Sequence, residues 1–113
     1  VIKIDFYDFF WIDDERFCFL VGDVSGKGVP AALMMAVTKT LLKAGINHEK
    51  SLARTLTAVN NEISKDNDNN MFITAFIGIL NTTTGYLTYS NAGHTPTYLL
   101  CNNDNEIKKL DEL

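Results

Sequence analysis

Two aspartates, Asp5 and Asp23, sit in apolar, strand-forming runs, and the second lies in a glycine-rich segment, Gly22-Asp23-Val24-Ser25-Gly26-Lys27-Gly28. The apolar run 17–21 delivers the Asp23 carboxylate to a strand end, where the glycines that follow let the backbone turn sharply. If Asp13-Asp14-Glu15 is the turn of a hairpin, Ile12 pairs with Arg16, and counting back along both strands sets Asp5 opposite Asp23. Directly opposed residues have Cβ atoms about 4.5–5.5 Å apart. Two carboxylates at that spacing repel unless one is protonated or a cation bridges them. Carboxylate oxygens, with carbonyl and water ligands, suit a hard cation such as Mg²⁺ or Mn²⁺, and Val24 can turn its carbonyl toward the same ion. Taken singly, Asp5 is an ordinary polar residue at a strand start and Asp23 an ordinary turn former. The pair, together with the glycine loop, points to metal. Asp8 has the opposite strand parity and stays outside the set, and the aromatic residues around it read as core.

The loop Ser25-Gly26-Lys27-Gly28 admits a second reading, a phosphate cradle in a nucleotide-binding protein. A Walker loop needs four residues between its first glycine and its Gly-Lys pair, followed by Ser or Thr. Gly22 and Gly26 enclose only three residues, Gly28 takes the hydroxyl position, and no parallel βαβ setting surrounds them. The better-supported role is to let backbone approach the metals and to present the N-terminus of the next helix to an anionic substrate. His94 follows Asn91-Ala92-Gly93 at a strand end, where a lone histidine is usually a hydrogen-bonded structural group. His48 falls in the interhelical connection and Thr74 reads as core.

These residues need strands to carry them. Strands are expected at 5–12, 16–23, 71–80, 86–91, 97–101 and 106–110, all rich in β-branched and aromatic residues. The connections 13–15, 81–85 and 102–105 are short enough to force antiparallel neighbours. Between the second and third strands lie two helices. The first opens at Pro30 and stops near Gly45, matching the proline-in, glycine-out asymmetry; Leu33, Val37, Leu41 and Ala44 share one face, and Met34, Met35 and Leu42 make the helix apolar on most sides, so it should be covered on both. The second uses Ser51 as N-cap and buries a stripe of Leu52, Leu56, Val59 and Ile63, with Arg54, Asn61 and Lys65 toward water. The run 71–80 is apolar at both parities, so both faces of its sheet should be covered, and one helical pair cannot cover both. A second sheet is therefore implied.

Composition bounds the rest. A chain of 113 residues with 46% hydrophobic content buries one core and reads as one domain or a large piece of one. The net charge is −4 and Lys and Arg are scattered, so nothing resembles a nucleic-acid stripe. Cys18 and Cys101 have no metal-binding or disulfide spacing and read as small buried residues in a reducing, cytoplasmic setting. The apolar stretch 29–37 falls well short of the roughly 20 residues that cross a bilayer, and no signal segment opens the chain, so a soluble protein without a membrane segment is expected. With no initiator Met, a first strand starting near Val1 and an abrupt end, the chain reads as an excised piece of a domain.

With Asp5-Phe6-Tyr7-Asp8-Phe9 upstream and Asn91-Ala92-Gly93-His94-Thr95-Pro96 downstream, the glycine segment resembles the bacterial metal-dependent serine/threonine phosphatases of the sporulation-phosphatase type, a branch of the phosphatase 2C (PPM-type) superfamily. The resemblance implies an α+β fold, an α/β/β/α four-layer sandwich of antiparallel sheets flanked by helices. Residues 1–113 would be the N-terminal and central part of that single domain. It implies two Mn²⁺ or Mg²⁺ ions, with Asp23 bridging them, Asp5 binding one, and the Val24 carbonyl and the loop completing that side. A water bridging the ions would supply hydroxide for in-line attack on a phosphoserine or phosphothreonine, without a covalent phosphoenzyme. Ser25, Gly26, Lys27, Gly28 and His94 would then lie near the phosphate. The implied partners are a phosphoprotein of the anti-anti-sigma type and an attached sensory or regulatory domain.

The pattern departs from that family in two places. Lys3 and Ile4 stand where the family has two glycines, and no Thr-Asp-Gly segment or final metal-binding aspartate occurs before Leu113. With later strands missing, an apolar strand such as 71–80 would be left at an open edge. The competing class is a phosphatase-like regulatory or protein-binding module without catalysis, which absence of the later aspartates from the parent sequence would favour.

Overall fold

The computed structural model describes residues 3–48, 51–65, 71–93, 97–101 and 106–110. Strands β1 (Lys3–Trp11) and β2 (Arg16–Ser25) are followed by helices α1 (Gly28–His48) and α2 (Leu52–Ser64), then by β3 (Ile73–Asn81), β4 (Leu87–Ala92), β5 (Thr97–Cys101) and β6 (Glu106–Leu110). Strands β1 to β4 form one antiparallel sheet in sequence order, and β5 and β6 form a separate two-stranded sheet.

The first hairpin is fixed by its turn. Asp13 Oδ1 accepts from the backbone N–H of Glu15 at 2.9 Å and of Arg16 at 2.8 Å, and its other oxygen accepts from Arg16 Nε at 2.9 Å. These bonds, the Glu15 amide first, hold the Asp13 carboxyl below its ordinary pKa. The Ile12 N–H reaches the Arg16 carbonyl at 2.8 Å, which closes the hairpin in the register counted from the sequence.

One face of the sheet carries Phe6, Cys18, Leu20, Val24 and Ile77, which meet Ala31, Leu42 and Ile46 of α1 and Leu52 and Val59 of α2 in the core. Cys18 is fully buried there; desolvation, with the Asp8 charge adding to it, pushes its thiol up to about 11, so it stays protonated and inert at neutral pH. The side chain of Cys101 lies outside the described residues. Asp8 shares strand parity with Phe6 and Phe10, on the helix side of the sheet, apart from Asp5.

Helix α2 matches expectation: Ser51 is its N-cap, its hydroxyl accepts from Arg54 N at 3.3 Å, and the predicted stripe packs inward. Helix α1 does not. It begins at Gly28 and runs through Gly45 to His48. Gly45 serves packing instead of termination, because a Cβ there would stand 2.8 Å from Thr55 Cγ2. The buried side is Ala31, Thr38, Leu42 and Ile46, whereas Val29, Leu33 and Val37 are 70%, 61% and 50% exposed. On a helix apolar nearly all round, residue type does not choose the side; the sheet and α2 against which it packs do. By length and apolar content α1 could also cross a bilayer, but core helices pass the same test, and this one packs on the sheet through that buried side.

Strand β3 is central, not the open edge expected from the missing later strands; β1 and β4 are the edges. Residues Ala75, Phe76, Ile77 and Gly78 are buried at both parities. On the face away from the helices, neighbouring rings supply the cover. Phe19 lies against Gly78, where a Cβ would overlap its ring, and Phe76 stacks on Tyr89 with centroids 5.8 Å apart.

Candidate active site

At the end of the sheet next to α1, β1 and β2 pair Asp5 with Asp23, and β2 and β3 pair Asp23 with Thr74. The three residues therefore line up across adjacent strands on the face opposite the helices. Asp5 is exposed and Asp23 half-buried. Thr74 Oγ1 donates to Asp23 Oδ1 at 2.9 Å. Sequence reasoning placed Thr74 in the core; the structure instead makes it a neighbour of the carboxylate. Cross-strand partners of a middle strand depend on register with β3, which no turn near Thr74 reports.

The glycines set this geometry. A Cβ at Gly22 would overlap the Thr74 carbonyl oxygen and stand 2.8 Å from Phe6 Cζ, so only glycine lets β2 and β3 close up beside Asp23. Replacing Gly22 with alanine is expected to lower stability by about 1–3 kcal/mol through overpacking, read as a shift in the urea midpoint. Beyond Asp23, Gly26 and Gly28 take φ of 129° and 72°, conformations that favour glycine, and turn the chain into α1.

The Val24 side chain is fully buried on the helix side, so only its backbone carbonyl could act as a ligand. Ser25 is engaged in structure: its N–H donates to the Phe72 carbonyl and its Oγ accepts from Phe72 N, both at 2.9 Å. Lys27 is exposed at the loop, and the first turn of α1 carries no acidic residue to offset its positive end. His94 lies outside the described residues. The segment leading to it does reach the site: Gly93 bridges Ala75, and a Cβ at Gly93 would lie 3.6 Å from Thr74 Cγ2.

Opposed carboxylates with a carbonyl-bearing turn fit a hard divalent cation by donor chemistry and by their need for a counter-charge. Among the described residues no group of three or more His, Cys, Asp or Glu side chains gathers to hold an ion. Asp5 and Asp23 therefore stand as a pair, without a third such side chain beside them among the described residues.

Residues 13–113 match the family described as Stage II sporulation protein E (SpoIIE). The chain is 34% identical over 111 residues to phosphoserine phosphatase RsbU of Bacillus subtilis (strain 168), covering 95% of this chain and 32% of that protein. It is 32% identical over 123 residues to protein IcfG of Synechocystis sp., covering 85% of this chain and 19% of that protein. The crystal structure of the RsbU and RsbW domains of Rv1364c from Mycobacterium tuberculosis matches with a TM-score of 0.80 at 28% identity, over 96% of this chain and 30% of that one. The PP2C phosphatase domain of SpoIIE from Bacillus subtilis, with a fragment of its regulatory domain, shares the fold at a TM-score of 0.78 and 15% identity, over 96% and 31% of the two chains. The expected α+β fold holds, and the chain covers only part of the architecture of these neighbours. It spans a third of the curated relatives' length or less.

Proposed function

Because this chain belongs to the Stage II sporulation protein E (SpoIIE) family of PP2C-type phosphatases, we propose that it is the N-terminal and central part of one metal-dependent domain that removes phosphate from phosphoserine or phosphothreonine of a regulatory protein. The observation that carries the reading is the cross-strand pair Asp5 and Asp23 at the mouth of a glycine turn, with Thr74 donating to Asp23. A lone carboxylate at a strand end needs no explanation; two opposed ones are stable together when a cation sits between them.

Mn²⁺ or Mg²⁺, two ions in the complete domain, supply Lewis acidity and positive charge for the water and the phosphoryl oxygens when bound. Asp23 and Asp5 would hold that charge in place from the sheet, with the Val24 carbonyl as a further ligand. The exposed Lys27 and the N-terminal turn of α1 offer positive potential to the phosphate as it arrives. His94 is proposed to orient water or contact phosphate. The phosphoprotein is proposed to be of the anti-anti-sigma type and the setting cytoplasmic, with an attached regulatory domain governing the site.

The test is phosphate release from a phosphoserine protein by the full-length protein. Release should require Mn²⁺ or Mg²⁺, stop with chelator and resume when metal is restored. Equal turnover before and after metal stripping would overturn the reading.

A further inference from the structure

We infer that Thr74 is a positioning residue, which selects the orientation in which the Asp23 carboxylate meets its metal. The inference rests on the phosphatase reading above and deepens it. An aspartate carboxylate rotates broadly about its last torsion, with a two-fold preference that leaves both oxygens interchangeable. A hydrogen bond to one of them from a stiff neighbour removes that freedom. Thr74 is such a neighbour on three counts. It is β-branched and sits in a central strand, where its χ1 is restricted. Its hydroxyl donates to Asp23 Oδ1 at 2.9 Å. Its methyl carbon faces the Gly93 turn, 3.6 Å from where a Cβ would stand.

Backbone packing keeps the two residues in place. The absence of a side chain at Gly22 lets the Thr74 carbonyl approach β2 next to Asp23, so β3 cannot drift from the carboxylate without opening a gap at that glycine. The bond donated to Oδ1 also distinguishes the two oxygens, giving the carboxylate a fixed presentation to an ion between Asp5 and Asp23. Groups that orient a metal ligand in this way commonly change metal affinity about 10–100-fold when removed.

The experiment is a calorimetric titration of Mn²⁺ into the metal-free full-length protein and its Thr74→Val, Thr74→Ser and Asp23→Asn variants, each checked by thermal melting. Valine keeps the β-branch and the strand preference but cannot donate. The expected result is a Kd raised about 10–100-fold in Thr74→Val, restored to near the parent value in Thr74→Ser, with melting temperatures of the metal-free proteins unchanged. If Thr74→Val fails to fold, Thr74→Ala against Thr74→Ser makes the same comparison. Weakened binding in Asp23→Asn with unchanged binding in Thr74→Val would overturn the positioning role while leaving the metal reading intact. Unchanged binding in Asp23→Asn would overturn the metal reading, and this role with it.

Discussion

Asn in place of Asp23 in the full-length protein is expected to lower Mn²⁺-supported hydrolysis of a phosphoserine substrate by at least ~100-fold, beyond what removing a ligand's supporting partner costs. The change is nearly isosteric, so the loss comes from charge and not from packing. Asp23 faces Asp5 directly across β1 and β2 and accepts from Thr74 of β3, so it sits between Asp5 and Thr74 across the sheet. Asp5→Asn should act in the same direction and more weakly, because Asp5 is the exposed member of the pair. The metal-free proteins should behave in the opposite sense. Removing one of two opposed carboxylates relieves their repulsion, so metal-free Asp23→Asn should melt no lower than its parent. Unaltered Mn²⁺ affinity and turnover in both variants would show that the two aspartates do not share an ion.

Much of this arrangement was legible because short turns report it locally. Asp13 ties down the first hairpin through bonds to residues two and three positions on, which is why counting outward from it gives the Asp5 and Asp23 register that the structure has. Ser51 announces α2 in the same local way, through the hydroxyl that accepts from Arg54 N. Where the deciding contact is distant in sequence, the residues alone misled. Gly45 looks like a helix stop, yet its lack of a side chain answers to Thr55 on the next helix. Thr74 looks like core, yet its partner Asp23 lies 51 residues earlier. The buried side of α1 was equally hidden, since an almost uniformly apolar helix carries little moment and the sheet beneath it makes the choice. Strand β3 was read correctly as buried on both faces at its centre, but the cover on its outer face comes from Phe19 and Tyr89 of its own sheet. An apolar pattern shows that a face is buried without showing what buries it.

Residues 1–113 prepared alone are expected to self-associate and to show negligible Mn²⁺-dependent phosphatase activity. On the sheet face opposite the helices, edge strand β1 presents Tyr7, Phe9 and Trp11 at 70%, 62% and 57% exposure, and Val21 of β2 continues the patch at 41%. Phe17 joins Phe9 and Trp11 there, with centroids 6.2 and 5.2 Å away. An apolar aromatic surface beside an unpaired strand edge invites pairing with another chain. The β5–β6 hairpin adds Tyr98, Leu100 and Ile107, each 60% exposed or more. The same face carries Asp5 and Asp23, so a further part of the domain that covered the aromatics would also border the two carboxylates. Without it, two carboxylates alone should hold Mn²⁺ weakly, since the ion's affinity depends on a full set of ligands. Sedimentation of the 1–113 chain over a range of concentrations should therefore show association, together with no detectable release from p-nitrophenyl phosphate, whereas the full-length protein should not associate through this face and should turn over. A monomeric 1–113 chain with robust Mn²⁺-dependent turnover, abolished by Asp23→Asn, would mean that the described residues already contain a sufficient metal centre.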